Sequence, residues 1–178
     1  MRETPDELVA LQELLDRSVA GGNDHLVAIM TPERRLTAEQ MVRTLDGMHV
    51  LVVATVTADG RPLTSCVDGH LLHGRWVFTT DALATKARHL AARPAVSATH
   101  ARGDTFGVFT HGTAERLTPE HTDFAEVDEH LTTHYGSSPS TWAPDIAYLR
   151  IQPRWMLAYA ADPAALMRAD TIEDPPSS

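Results

Sequence analysis

The sequence predicts a mainly β (α+β) protein, an antiparallel β-barrel with short flanking helices. Short runs of aliphatic and β-branched residues, such as residues 49–57, alternate with turn sequences, and Asp59-Gly60 is a strong hairpin signal. Helical spacing of apolar residues is confined to the margins of these runs. We therefore expect helices at the edges of a barrel rather than crossovers between parallel strands.

The predicted strands are short and separated by turn residues. Turns are expected at His73-Gly74 and at Arg102-Gly103-Asp104, and Gln152-Pro153 is expected to divide the last two strands. The strands cover residues 49–57, 63–72, 75–80, 95–100, 105–117, 146–151 and 155–160.

Four helices are predicted around these strands. Leucine and valine residues at three- and four-residue steps predict an amphipathic helix over residues 5–20. Thr37-Ala38-Glu39-Gln40 is a capping box that begins a short helix ending near Leu45. Two further helices are predicted over residues 85–92 and 119–135.

The organisation along the chain follows from these elements. Residues 1–36 hold the N-terminal helix and a polar connector, and residues 37–161 hold the barrel domain. The end of the chain, residues 162–178, is polar and finishes in Asp-Pro-Pro-Ser-Ser, so we expect a mobile tail there.

Charge and composition narrow the class of function. The 178 residues carry a net charge of −9, so no general attraction to nucleic acid or to an anionic membrane is expected. No apolar run approaches the roughly 20 residues of a spanning helix, and residues 1–7 are too acidic for a signal peptide. Cys66 is the only cysteine, which indicates a chain without an internal disulfide and favours the cytoplasm.

The middle of the chain resembles a known family. The turn Asp59-Gly60-Arg61-Pro62 is followed by a strand ending in hydroxyl residues, a lysine-led helix, Pro94-Ala95-Val96 at a strand start, and Gly112-Thr113-Ala114 late in a strand. This order is similar to the pyridoxamine 5′-phosphate oxidase-like flavoproteins over residues 36–160. The resemblance implies an antiparallel split β-barrel that forms a homodimer and binds FMN at the subunit interface.

A flavin phosphate in an acidic chain needs a local set of donors. Thr79 and Thr80 end a predicted strand, and Lys86 begins a helix whose free N–H groups also favour an anion. By resemblance these three residues match the phosphate-binding positions of the family, and Arg88 is a further cation beside them.

The flavin ring has its own predicted contacts. The resemblance places the ring against the strand segment Thr64, Ser65, Cys66 and Val67, and it implies a contribution from the last strands of the partner subunit. Trp155 is the aromatic residue expected in that second role.

The function implied is a flavin-dependent oxidoreductase that acts on a small organic substrate. Residues 148–155 do not reproduce the arginine-rich substrate signature of the vitamin-forming oxidases, so oxidation of pyridoxamine phosphate is not expected. The alternatives are a reductase of the same fold that uses the deazaflavin coenzyme, and a flavin or haem carrier without turnover. FMN is favoured because the chain offers few cations for a polyanionic tail, namely Arg61, Lys86, Arg88 and Arg93.

The histidines give a weaker signal for a metal. His130 and His134 lie one helical turn apart, which suits a metal pair. No cysteine or third histidine with ligand spacing accompanies them, and Glu129 precedes the pair rather than lying within it. We therefore expect a solvated helix face and no metal site.

Overall fold

The computed structural model describes residues 2–169 and confirms the predicted antiparallel barrel. Six antiparallel strands close in the order β1-β2-β3-β6-β5-β4. The strands are β1 (Met48–Val56), β2 (Pro62–Leu72), β3 (Arg75–Asp81), β4 (Ala95–Arg102), β5 (Phe106–Leu117) and β6 (Ile146–Ala160).

Six helices surround the barrel, and none in the described part of the chain is long and apolar enough to cross a membrane. They are α1 (Pro5–Ala20), α2 (Asp24–Ile29), α3 (Ala38–Thr44), α4 (Thr85–Ala92), α5 (Phe124–Tyr135) and α6 (Pro163–Ala169).

Alternation along the strands builds the core. In β1, Leu51 and Val53 point inward and are fully buried, whereas Met48, Val50 and Val52 are exposed on the outer face. The interior is filled by large side chains from several strands and from α3, and these include Trp76, Phe78, Phe106, Ile151, Met156, Met41 and Leu45.

Local sequence signals account for the helix starts. α1 and α3 both begin with the reciprocal capping box, Thr4 with Glu7 and Thr37 with Gln40. α1 packs along β6, and there the Ser18 hydroxyl accepts a hydrogen bond from the Met156 N–H at 2.9 Å. The N-terminal helix is therefore attached to the barrel wall.

The pairing of β2 with β3 is short, and this shapes the site. Only three pairs form, from Leu72 with Arg75 to His70 with Val77. Beyond them β2 pairs with β1 alone over Pro62–Gly69, and Phe78–Asp81 of β3 pairs with β6 alone. The two strands diverge, and we call the gap between these two segments the β2–β3 opening.

The N-terminal connector and the start of the polar tail each contain a helix that the sequence did not predict. The expected polar connector contains α2, which Asn23 caps by accepting a hydrogen bond from the Leu26 N–H at 2.9 Å. The segment expected to be a mobile tail contains α6, which packs on α3 and β6. Residues 170–178 of that tail lie outside the described residues.

The last two predicted strands are one continuous strand. β6 runs through Pro153, and a register shift at His111/Gly112 leaves Arg154 as the extra residue of a β-bulge. Proline lacks an N–H donor and is tolerated at such a bulge, which explains why the strand does not break. The helix predicted from residue 119 begins instead at Phe124, because residues 118–124 form turns closed by His121 N–H to Thr118 O and Phe124 N–H to His121 O.

Candidate functional site

The two sides of the β2–β3 opening carry the residues predicted to meet a flavin. On the β2 side, Thr64 and Cys66 are exposed, Ser65 is half-buried and Val67 points into the core. Within the described residues no strand pairs with this edge of β2, so its backbone N–H and C=O groups are free to meet a ligand. The opening thus presents small side chains together with unpaired backbone.

The β3 side of the opening holds Thr79 and Thr80, both half-buried. Val77 packs against α5 and Phe78 packs in the barrel core, so the strand alternates between these two environments. Thr79 therefore points outward like Val77, and Thr80 points inward like Phe78. The structure places both residues at the opening but does not bring their hydroxyls together.

The start of α4 lies one short loop after the opening and has no side-chain cap. Its N-cap is Ala84, and its first turn contains no acidic residue. The preceding loop is fixed by Asp81, which accepts hydrogen bonds from the N–H groups of Leu83 at 2.7 Å and Ala84 at 3.0 Å. The first N–H groups of α4 are therefore available to an anion.

Lys86 and Arg88 lie on different sides of α4. Two residues along a helix correspond to a rotation of about 200°. Lys86 shares its face with His89, whose Nδ1 is 3.1 Å from the Thr55 hydroxyl. Arg88 instead lines a cavity of about 330 Å³ beside Arg116, between α4 and strands β5 and β6. The structure separates the two cations that the sequence placed together.

Trp155 is distant from the opening of its own chain. Its ring stacks on His111 with centroids 4.7 Å apart, and its Nε1–H donates to Ser18 O at 3.1 Å. Phe78, at the opening, pairs with Leu149, and the six residues from there to Trp155 span about 20 Å. Within one subunit Trp155 is a packing residue between α1 and β5.

A groove on the outer face of the sheet was missed in the sequence. It has a volume of about 440 Å³ and lies where β1 and β4 pair over only three residues. His111 Nδ1 and the Ser97 hydroxyl lie 2.8 Å apart in this groove, and Arg154 lines it as well. The small outward-facing residues of β1 and β4 were its only sequence signal.

The expectation that His130 and His134 form a solvated helix face holds for His134, which is exposed, but not for His130, which is half-buried. Buried His70 of β2 meets both: its Nδ1 is 3.0 Å from His130 Nε2, and its ring centroid is 4.9 Å from that of His134. Burial, followed by the nearby His130 and His134, lowers the pKa of His70 to about 3. Sixty residues separate His70 from His130 in the chain, so spacing could not reveal the pair. The described residues contain no group of three or more potential ligands arranged to hold a metal.

Comparison with known families identifies the barrel. The sequence model of the pyridoxamine 5′-phosphate oxidase family matches residues 37–160. The chain belongs to this family. No curated protein matches the chain in sequence.

Solved structures share the fold of this family member at low identity. A FAD-binding protein from Mesorhizobium loti is 17% identical with a TM-score of 0.55, over 71% of this chain and 94% of that one. A haem storage protein from Vibrio cholerae is 19% identical with a TM-score of 0.56, and the match covers 70% of this chain and 95% of that one. An F420 reductase is 21% identical with a TM-score of 0.51, and the match covers 64% of this chain and 92% of that one. At these identities the comparison establishes the fold and not the ligand.

Proposed function

We propose that this family member binds FMN at the β2–β3 opening and acts as an oxidoreductase on a small organic substrate. The observation that carries the proposal is the combination of an unpaired β2 edge with an uncapped, lysine-bearing helix start beside it. When bound, the flavin would supply the redox chemistry, and the residues of the chain would bind and orient it.

The β2 edge suits the polar rim of a flavin ring. An unpaired backbone alternates N–H donors and C=O acceptors, and the pyrimidine side of the ring alternates acceptors and donors in the same way. Thr64 and Cys66 are exposed, and Ser65 is half-buried, so no bulky side chain covers this edge. A planar ring can therefore lie against residues 64–67.

The start of α4 suits the phosphate. A phosphate carries close to two negative charges, and free helical N–H groups together with a cation favour it. Lys86 is the only lysine of the chain. Since Thr79 and Thr80 face opposite sides of β3, we assign one hydroxyl to the phosphate rather than two. Arg88, on the opposite side of α4 from Lys86, is left as a weaker candidate.

A homodimer would complete the site. The outer face of β1 exposes Met48, Val50 and Val52. Such an apolar sheet face is typical of a surface that a partner covers. In a twofold dimer the Trp155 of the partner subunit can approach the flavin, which its own chain does not allow.

The first experiment measures FMN affinity. Lys86→Ala removes one charge-assisted hydrogen bond, worth about 1.5–3 kcal/mol, so FMN should bind about ten- to hundredfold more weakly than to wild type. Arg43→Ala, an exposed cation on α3, is the matched control and should bind FMN like wild type. Equal dissociation constants for wild type and Lys86→Ala would remove Lys86 from the site.

The deazaflavin coenzyme remains the second candidate, since an F420 reductase shares the fold. Its polyanionic tail would need cations along an exit path, but Arg61 is paired with Asp59 at 2.8 Å and Arg93 donates to Val56 O at 2.9 Å. Titrating both coenzymes at one ionic strength separates the candidates. If the deazaflavin coenzyme bound more tightly than FMN and its affinity fell with salt, it would replace FMN as the first candidate.

Turnover separates an oxidoreductase from a carrier. An enzyme should reoxidise or reduce its bound flavin rapidly when a substrate is added, whereas a flavin or haem carrier only exchanges its ligand. Haem binding, a property of the Vibrio cholerae protein, would appear in the same titrations as a distinct absorbance spectrum.

A further inference from the structure

A further cavity lies outside the β2–β3 opening, where α2 covers part of the outer face of β5 and β6. Its volume is about 470 Å³, within the range of small-molecule sites. Its lining is apolar and aromatic apart from Arg34, and includes Leu26, Ile29, Met30, Phe109, Leu157 and Tyr159. None of the residues assigned to the flavin contributes to it.

The floor of this cavity is a pair of parallel aromatic rings. The planes of Phe109 and Tyr159 differ by 6°, and their centroids are 6.4 Å apart. Gly107 lies opposite Tyr159 in register, and a Cβ there would come within 2.8 Å of Tyr159 and 3.0 Å of Phe109. The Tyr159 hydroxyl donates to Asp104 O at 3.2 Å. The absence of a side chain at residue 107 therefore lets both rings lie flat over the strands.

The wall of the cavity is the short helix α2. It has six residues, none of them fully buried, and Ile29 remains 44% exposed. Met30, directly after the helix, is buried and anchors this segment to Leu157. The cavity is therefore walled but open on one side, which leaves an entry for a ligand.

The rim of the cavity carries one cation without a partner. Arg34 is exposed, and within residues 2–169 its guanidinium makes no ion pair or hydrogen bond. The neighbouring Arg35 is already engaged, since its Nε–H donates to Met30 O at 2.6 Å. In a chain with a net charge of −9, a free guanidinium beside an apolar cavity is a local anchor for an anion.

From this geometry we infer that the α2 cavity binds a small organic anion, a carboxylate attached to an aromatic or aliphatic body. The apolar body would lie on Phe109 and Tyr159, and the carboxylate would form a charge-assisted pair with Arg34. Cys66 of β2 pairs with Val52 of β1, Val52 pairs with Thr99 of β4, and Thr99 pairs with Phe109 of β5. Phe109 therefore lies three strand spacings from Cys66, which is about 14 Å across the sheet. Within one subunit the cavity is therefore separate from the β2–β3 opening, and the inference does not depend on flavin binding.

Calorimetric titration of the full chain with 1-naphthoate and with neutral 1-naphthamide tests this inference. Naphthoate should bind more tightly than naphthamide. Arg34→Gln should weaken naphthoate about tenfold and leave naphthamide unchanged, because only the charge-assisted bond is lost. Arg43→Gln, an exposed arginine on α3, is the matched control and should change neither ligand.

A second variant tests the cavity itself. Ile29→Trp places a larger side chain at an already exposed position, so it should preserve the fold and weaken both ligands by filling the space. The inference is overturned if naphthoate and naphthamide bind wild type equally, or if neither binds saturably. An apparent affinity that falls as protein concentration rises would assign the cavity to a second copy of the chain and would also overturn it.

Discussion

Gly112 sets the closest approach between β5 and β6. A Cβ at this position would lie 2.0 Å from the Gln152 carbonyl oxygen and 3.1 Å from Pro153 Cα. These are backbone atoms at the β-bulge, so they cannot move aside as a flexible side chain would. The glycine of the Gly-x-Ala motif is therefore required by packing, and Ala114 two residues later is buried in the core.

Gly112→Ala should lower the free energy of unfolding by about 3 kcal/mol, because the bulge must shift to admit a methyl group. Gly103→Ala is the matched control. Gly103 has a φ of 58° and no atom within 4 Å of an added Cβ, so only backbone strain of about 1 kcal/mol is expected there. Urea denaturation of both variants measures their free energies of unfolding. Equal decreases in the two variants would show that the bulge can shift to admit a methyl group at little cost.

At the scale of elements, the turn between β2 and β3 joins two helices to the barrel. His73 Nδ1 is 3.1 Å from a Glu7 carboxylate oxygen of α1, and its Nε2 is 3.1 Å from a Glu126 oxygen of α5. Burial alone would lower the pKa of His73, but the hydrogen bonds to both carboxylates outweigh it and raise the pKa. The protonated imidazole therefore links α1, the turn and α5.

Replacing His73 should make a pH-dependent difference to stability. Because the folded pKa is raised, the stabilisation is fully present below the unfolded pKa of about 6.5 and is lost as pH rises through the folded pKa. His73→Asn, which tolerates the φ of 52°, should be less stable than wild type in mild acid and closer to it near about pH 9. Urea denaturation at both pH values measures this. If the difference in the free energy of unfolding between wild type and His73→Asn grew as pH rises, it would contradict the raised pKa of His73.

Helices and strands differ in how well the sequence predicts them. α1 and α4 begin and end where their apolar spacing and terminal residues predict, because those signals lie within each helix. The continuity of β6 and the meeting of His70 with His130 depend on contacts between distant segments, which spacing does not encode. At the candidate site, the motifs selected residues that lie on both sides of the opening. The predicted helix over residues 85–92 already implies that Lys86 and Arg88 diverge, but the cavity that Arg88 lines depends on contacts with β5 and β6, which spacing does not encode.

For the whole molecule, the exposed apolar face of β1 predicts a twofold dimer of 19.5 kDa subunits. Val52→Glu places a charge in the middle of that face and should shift the protein towards monomer in light scattering. Val9→Glu, on α1 and 60% exposed, is the matched control and should remain dimeric. Wild type that scatters only as a 19.5 kDa species would contradict the dimer.

We propose that the start of α4 holds the phosphate of a bound flavin, and Lys86, as the only lysine of the chain, allows a direct measurement. An amine-specific reagent is added with and without saturating FMN, and modification of the peptide containing Lys86 is followed by mass spectrometry. FMN should slow the modification strongly, and riboflavin, which lacks the phosphate, should slow it much less. Unchanged modification of Lys86 in a protein shown by absorbance to be saturated with FMN would contradict the claim.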